Sequence, residues 1–144
     1  MKPTEEQLKE IAEEHEIGMQ CYFHFKTGEL ISIPDMEDFY DGDFEDWEDD
    51  IKKVEENEDD YYLFKKKGSR DSYRDMEAFV ETVDDAKLQD ELVEALNKKG
   101  PFRNFKWVID NSGEYRNKWF KFQEQQRVEY VREEVEMNEE EFLD

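Results

Sequence analysis

The stretch that decides the fold is CYFHFKTGELISIP, residues 21–34. Its first half alternates, so that Cys21, Phe23 and Phe25 share one face of an extended strand. The turn signal Thr27-Gly28 follows, and an apolar run then continues until a proline ends ladder pairing. The pattern predicts a β-hairpin over residues 20–34.

Two further elements complete the predicted sheet region. An isolated hairpin is marginally stable, so we expect a third strand, and the aromatic run 61–64 is the best candidate. Upstream, the residues Thr4-Glu5-Glu6-Gln7 fit a capping box, and an apolar stripe follows at helical spacing. This predicts a helix over residues 5–16.

Helical spacing dominates the rest of the chain. Trp47, Ile51 and Val54 predict a short helix at about 44–56. After a loop at 65–69, Ser72 is a candidate cap for the next helix.

Later caps divide the C-terminal half into further helices. Asp84 or Asp85 caps one helix, and Pro101 stands at the first position of the next. The break Asn111-Ser112-Gly113 separates that helix from a long amphipathic one, which begins at Tyr115.

These elements predict an α+β fold: an N-terminal helix, a small antiparallel sheet made of a hairpin plus one strand, and a C-terminal bundle of three to four helices. The length of 144 residues and the lack of a linker predict a single domain over 1–144. The predicted core consists of Phe23, Phe25, Ile31, Ile33, Leu63, Met76, Phe79, Val80, Leu88, Leu92, Leu96, Phe102, Phe105, Val108, Trp119 and Phe122.

The charge is large and uneven. With 42 Asp+Glu against 20 Lys+Arg, the formal net charge is −22, of which residues 35–60 contribute −13. Low apolar content with high charge is typical of disorder, yet 15% of the residues are aromatic, which favours a folded core. We therefore expect a partly flexible acidic segment at 35–60 and a frayed acidic tail at 137–144. The acidity disfavours general binding of nucleic acids or anionic membranes.

Other features predict a cytoplasmic protein with no internal disulfide. The start of the sequence lacks the apolar region of a signal peptide, and no stretch is long and apolar enough for a membrane span. Cys21 is the sole cysteine.

No motif supports catalysis, a cofactor or a specific metal site. None of the four serines lies in a nucleophile elbow, and Cys21 and His24 face opposite sides of a strand. The glycines form no phosphate loop. The acidic run 41–46 fails the EF-hand pattern, because its sixth position holds Asp46 instead of glycine; only weak divalent binding is expected there. We predict that the chain is not an enzyme.

The basic region 98–132 is chemically unlike the rest, with a net charge of +5 and cations interleaved with aromatic residues. Most of these aromatics fall at helical spacing and are expected in the core. Trp107 and Phe120 fall off that spacing and are expected to be exposed. The predicted partner-contact surface consists of Arg103, Lys106, Trp107, Arg116, Lys118, Phe120 and Lys121.

Several functions stay open at this point. The leading hypothesis is a small acidic interaction or regulatory protein that binds a protein partner, with a basic partner as one form of it. One alternative is a charge mimic of nucleic acid, in which residues 35–60 bind a basic protein. A second is RNA binding through region 98–132, and a third is an enzyme that uses paired carboxylates. The oligomeric state is not indicated.

Three sequence elements in order resemble a known family. They are Thr27-Gly28-Glu29 after an aromatic strand, the run 69–80 (SRDSYRDMEAFV), and Gly100–Lys106 (GPFRNFK) followed by Trp119–Phe122 (WFKF). Together they resemble the UPF0158 family of uncharacterised bacterial proteins over roughly residues 19–132. The last helix departs from the family pattern, with Tyr130-Val131 near the place of a Trp-Leu pair. The resemblance implies a small soluble bacterial protein and supplies no catalytic residues.

Overall fold

A computed structural model of the chain describes residues 1–35 and 45–143. Two compact units are present: Met1–Lys66 with Arg127–Asp144, called the first unit, and Lys67–Gln126, the second unit. The prediction of a single domain over 1–144 stays a prediction. Within the described residues, the helices and strands are α1 (Glu5–Glu16), β1 (Met19–His24), β2 (Leu30–Pro34), α2 (Glu48–Glu56), β3 (Tyr61–Phe64), α3 (Ser69–Thr82), α4 (Ala86–Asn97), α5 (Pro101–Asp110) and α6 (Tyr115–Met137). The predicted α+β fold is confirmed.

The first unit is built on a three-stranded antiparallel sheet in the order β2-β1-β3. Tyr22 of β1 lies opposite Ile31 on one side and Leu63 on the other, which confirms the predicted hairpin and the third strand. Gly28 has φ +74° in the hairpin turn, where a side chain would be strained. At the N-terminus, Thr4 and Gln7 form the predicted capping box of α1.

Both faces of this sheet are covered. On one face, Cys21, Phe23 and Phe64 pack with α1 and with Val131 and Val135 of α6. The opposite face packs against Val54 of α2; its buried residues are Ile31, Ile33 and Tyr61. Alternation in β1 therefore separates two apolar layers instead of a core face and a solvent face. Leu63, predicted in the core, lies on the α2 face and is half-buried, whereas its neighbour Phe64 on the other face is fully buried.

The chain end differs from the predicted frayed tail. Residues Glu139–Phe142 form a 3-10 helix, and the Phe142 side chain is only 2% exposed. Its ring lies 4.9–6.0 Å, centroid to centroid, from the rings of four other aromatic residues: Phe23, Phe25, Tyr62 and Phe64. The Met1 amino group donates a hydrogen bond to the Phe142 carbonyl at 2.9 Å. A single aromatic anchor thus holds a tail whose composition is otherwise typical of disorder.

The acidic segment 35–60 is only partly within the described residues. Residues 36–44 lie outside them, so the prediction of flexibility has no structural counterpart there. From Glu45 onward the segment is helical, with 3-10 turns at Glu45–Trp47 and Glu58–Asp60 flanking α2. Val54 is its buried anchor, at the position that helical spacing predicts.

The second unit is a helical bundle formed by α3, α4, α5 and the first turns of α6. Its buried core comprises Met76, Phe79, Val80, Val83, Leu88, Leu92, Leu96, Phe105, Ile109 and Trp119. Asp85, not Asp84, caps α4, because its carboxylate accepts the Leu88 N–H at 3.1 Å. Gly100 has φ +76°, the left-handed conformation that joins α4 to Pro101 at the start of α5.

Two predictions within the second unit were wrong. α3 begins at Ser69 after Gly68, so Ser72 lies inside the helix and does not cap it. Phe102, predicted in the core, is 44% exposed, because α5 inserts Phe105 and Ile109 into the core, while the Phe102 ring lies in a T-shaped contact with Tyr73. Val93 of α4 is 45% exposed, because that helix packs through Leu88, Leu92 and Leu96.

Candidate docking surface

The seven predicted contact residues lie on α5 and α6 of the second unit, but they do not form one patch. Six of the seven side chains fall into three groups: a charged corner after α5, a groove between α3 and α6, and a groove between α4 and α5. Trp107 and Phe120 are exposed, which confirms the expectation from their spacing. Arg103 is also exposed, with its guanidinium beside Gly100.

The charged corner is centred on Asp110. Its carboxylate accepts hydrogen bonds from Lys106 Nζ at 3.1 Å and from Arg116 Nε at 3.2 Å. These two cations, Lys106 above all, lower the pKa of Asp110. The Arg116 guanidinium also lies 4.6 Å from the centre of the Phe120 ring. Two of the predicted contact cations are therefore engaged within the unit itself.

The groove between α3 and α6 has a volume of about 330 Å³ and an aromatic floor that includes Phe79 and Phe122. Lys118 and Lys121 stand along it, and Lys118 Nζ lies 4.8 Å from the centre of the Tyr115 ring. The Tyr115 hydroxyl donates to Asp84, and this bond raises the pKa of Tyr115 to about 12 and lowers that of Asp84.

The groove between α4 and α5 is the larger one, with a volume of about 450 Å³. Its apolar wall contains Leu88 and Ala95 from α4 and Val108 from α5. Trp107 stands at its edge with 70% of its surface exposed. Large exposed aromatic side chains beside an apolar groove are typical of docking sites.

Polar side chains surround this α4–α5 groove. Glu91, Glu94 and Lys98 line it from α4, and Lys98 Nζ pairs with Glu94 at 3.0 Å. On α5, Asn111 Nδ2 donates to the Trp107 carbonyl at 2.7 Å and closes the last turn. Trp107 therefore lies in the last turns of a regular helix whose C-terminal end is capped by Asn111.

Sequence reasoning identified Trp107 and missed the α4 side of the groove. Leu88, Glu91 and Ala95 stand at i, i+3 and i+7, which places them along one side of the helix. This spacing is visible in the sequence, but it indicates a groove only when the helix that packs beside α4 is known.

A third groove, of about 330 Å³, lies in the first unit. Tyr22, Leu63 and Tyr61 line it from the sheet, and Val54, Glu55 and Glu58 line it from α2 and the turn that follows. Its two carboxylates give it an acidic rim.

The remaining candidate residues have structural partners. Cys21 is buried, and burial raises the pKa of its thiol to about 11. His24 Nδ1 accepts hydrogen bonds from the backbone N–H groups of Lys26 and Thr27 in the hairpin turn. Across the described ranges, no group of three or more His, Cys, Asp or Glu side chains is placed to hold a metal ion. Most of the run 41–46 lies outside those ranges.

The fold and the surfaces define an acidic α+β protein with a three-stranded sheet and a helical unit that carries open grooves. None of the helices in the described part of the chain has the length and apolar character that crossing a membrane requires. The chain belongs to the Uncharacterised protein family (UPF0158), whose model matches residues 8–143. That match begins within α1 and runs through the tail to residue 143, beyond the 19–132 range of the sequence resemblance. Searches of curated proteins and of solved structures find no match to the chain.

Proposed function

We propose that this chain is a non-enzymatic protein-interaction protein, and that the α4–α5 groove is its docking surface. The observation that carries the proposal is the 70% exposure of Trp107 beside that groove. Covering this side chain removes on the order of 150 Å² from water, which corresponds to about 4 kcal/mol at 25 cal/mol per Å². An exposed tryptophan beside an apolar groove is therefore a strong candidate for a binding anchor.

Electrostatics favours a protein partner over a nucleic acid. The net charge is −22, and Lys106 and Arg116 in the basic region already share Asp110. Two aromatics of the basic region, Trp119 and Phe105, lie in the core, where they cannot stack on RNA bases. RNA binding through 98–132 is thereby disfavoured. The charge-mimic alternative depends on residues 35–60, of which 36–44 are outside the described residues.

The proposal also includes the expectations that the protein is bacterial, cytoplasmic and without catalytic residues. A bacterial, cytoplasmic protein without catalytic residues agrees with the buried thiol of Cys21 and with the absence of a catalytic motif in the sequence. Within this proposal, a regulatory role depends on which protein the chain binds.

The test is affinity capture from the native host with the tagged full chain and two variants. Trp107→Ala removes the anchor, and Val93→Ala truncates another exposed apolar side chain that does not line the groove. Both substitutions should leave thermal stability unchanged within error, because both sites are exposed. The proposal expects a partner that is retained by wild type and Val93→Ala and lost by Trp107→Ala. Identical partners for all three proteins would refute it.

The other predicted cations are tested in the same experiment. Arg103→Glu combined with Lys121→Glu reverses two exposed charges that do not line the α4–α5 groove. If docking is confined to the groove, this double variant keeps the partner. Loss of the partner with this variant alone would move the docking surface to the α3–α6 side.

A further inference from the structure

We infer that the groove between the sheet and α2 in the first unit, called the sheet–α2 groove, binds an aliphatic polyamine. The inference concerns a different unit from the α4–α5 groove and goes beyond the proposed docking function. It follows from the lining of the sheet–α2 groove, from its unpaired polar groups and from the charge of the unit that carries it.

The sheet–α2 groove is lined by apolar and aromatic side chains. Tyr22 of β1 lies opposite Leu63 of β3, and Tyr61 stands two residues before Leu63, so the three side chains share one face of the sheet. Val54 lines the groove from α2. The volume of about 330 Å³ is at the lower end of the range for small-molecule sites. Such a lining contacts hydrocarbon, and its aromatic rings attract a cation.

The rim of the groove adds two exposed carboxylates, Glu55 on α2 and Glu58 at the start of the 3-10 turn that follows. Within residues 1–35 and 45–143, neither carboxylate forms an ion pair. The lysines of α2 and of the hairpin turn pair with other acids: Lys53 with Glu29 at 2.7 Å, Lys52 with Glu56 at 3.9 Å, and Lys26 with Asp60 at 3.5 Å. The two carboxylates of the rim are therefore available to an external cation.

A buried tyrosine in the groove also lacks a hydrogen-bond partner. Tyr61 lines the groove and is only 9% exposed, yet its hydroxyl forms no hydrogen bond to any residue that the structure describes. The hydroxyl of Tyr22 is likewise unpaired in the described part of the chain. Burial above all raises the pKa of both tyrosines, and Glu55 adds to the rise at Tyr22. Both phenols are therefore neutral at pH 7 and can accept a hydrogen bond from an ammonium group.

The first unit carries nearly all of the negative charge of the chain. It contains 30 Asp and Glu against 9 Lys and Arg, a net charge of −21, whereas the net charge of the second unit is −1. Residues 45–60, which include α2, contain ten acids and two lysines. A field of this strength favours several cationic groups on one molecule over a single cation. The apolar lining favours a molecule whose charges are joined by hydrocarbon, and a polyamine has both properties.

Metal ions and lysine-rich peptides are the competing ligands. A hard divalent ion requires several oxygen ligands at once, and no group of three or more His, Cys, Asp or Glu among the described residues is placed to hold a metal. A peptide has to keep its backbone outside a cavity of about 330 Å³, so it cannot place its charges inside together. A free polyamine has no such restriction.

The experiment compares three cations of equal charge: spermidine, a trilysine peptide with blocked ends, and hexaamminecobalt(III), which has N–H donors but no hydrocarbon. Each is titrated into the full chain by calorimetry at about 0.15 M salt, where distant charges are screened. We expect one-to-one binding of spermidine, at least about fivefold tighter than binding of the other two, which corresponds to burying little more than one methylene group. Equal affinities would mean attraction by net charge alone, and tighter binding of the peptide would assign the groove to a protein partner. Either result would overturn the inference.

Paired variants locate the binding. Glu55→Gln with Glu58→Gln removes the two carboxylates of the groove, whereas Glu56→Gln with Asp59→Asn removes the same charge from exposed neighbours that do not line it. We expect the first pair to weaken spermidine binding about tenfold or more, as for lost hydrogen bonds to a charged group. The control pair should weaken it by less than about twofold. Thermal stability without ligand should stay unchanged, because all four sites are exposed. Equal losses for both pairs would overturn the inference.

One more variant separates this inference from the proposed function. Trp107→Ala in the second unit should bind spermidine as wild type does, and a loss of binding there would place the polyamine outside the sheet–α2 groove and overturn the inference. Capture of the native partner by the Glu55→Gln/Glu58→Gln variant should stay intact, because docking is assigned to the α4–α5 groove. The proposed function fails only if Trp107→Ala retains the native partner, so the two failures are distinguishable.

Discussion

Removing the Phe142 side chain tests whether the tail belongs to the core of the first unit. Phe142 is 2% exposed, and its ring contacts four aromatic rings, those of Phe23, Phe25, Tyr62 and Phe64. Phe→Ala substitutions in cores cost about 3–5 kcal/mol. We expect about 3 kcal/mol for Phe142→Ala, the lower end, because a short terminal 3-10 helix relaxes more easily than an internal element.

The assay is hydrogen exchange of the β1 amides in the full chain. A loss of about 3 kcal/mol lowers the protection of amides that exchange by global opening of the unit roughly hundredfold. Leu143→Ala is the matched control, because Leu143 is adjacent and 66% exposed. Urea unfolding followed by circular dichroism should show the same order, with Phe142→Ala least stable.

One result would refute the reasoning. If Phe142→Ala and Leu143→Ala have the same exchange rates and the same urea midpoint as wild type, the tail contributes no packing energy. The tail would then be frayed in solution, as its acidic composition indicates.

Three other predictions follow from the described contacts. The Cys21 thiol, whose pKa burial raises to about 11, should react with a disulfide reagent at pH 8 far more slowly in the native protein than in urea; equal rates would contradict its burial. The Lys67–Asp75 ion pair is nearly buried, with side chains 11% and 16% exposed, so Asp75→Ala should lower the free energy of unfolding by about 2 kcal/mol. Lys98→Ala, the control at an exposed ion pair, should change the free energy of unfolding little. Similar urea midpoints for the two variants would count against a contribution from the buried pair. His15 Nε2–H donates to the Phe64 carbonyl at 2.9 Å, and burial lowers the pKa of His15 below its ordinary 6.5, so its contribution to stability is present above pH 6.5 and is lost as the pH falls. His15→Gln, which keeps a hydrogen-bond donor, should remove that part of the pH dependence of stability between pH 7.5 and 5.5. An unchanged pH profile of the urea midpoint in this variant would contradict the prediction.

In the second unit, two of the basic residues that the sequence pattern singles out are paired with an acidic residue. Lys106 and Arg116 look like a free basic surface in sequence, yet both hydrogen-bond to Asp110. Lys106 and Asp110 are i, i+4 neighbours on α5, whereas Arg116 reaches Asp110 through the turn between α5 and α6. Trp107, one residue beyond Lys106, remains exposed because its side of α5 faces away from the core.

The local elements were predictable because their signals are local. The capping box at Thr4, the alternation from Cys21 to Phe25 and the Gly100-Pro101 junction each act through neighbouring backbone groups. The exposure of Trp107 also followed from helical spacing alone.

What the sequence by itself determined was the kind and order of the elements and the acidic character of the chain. Tertiary structure decided the exceptions in burial: Phe142 joins the core from an acidic tail, and Phe102 leaves it despite its helical spacing. It also decided that Glu91 and Trp107, on different helices, line one groove. The physical reason is that periodicity defines the faces of a single element, whereas burial and docking surfaces depend on which faces of different elements meet.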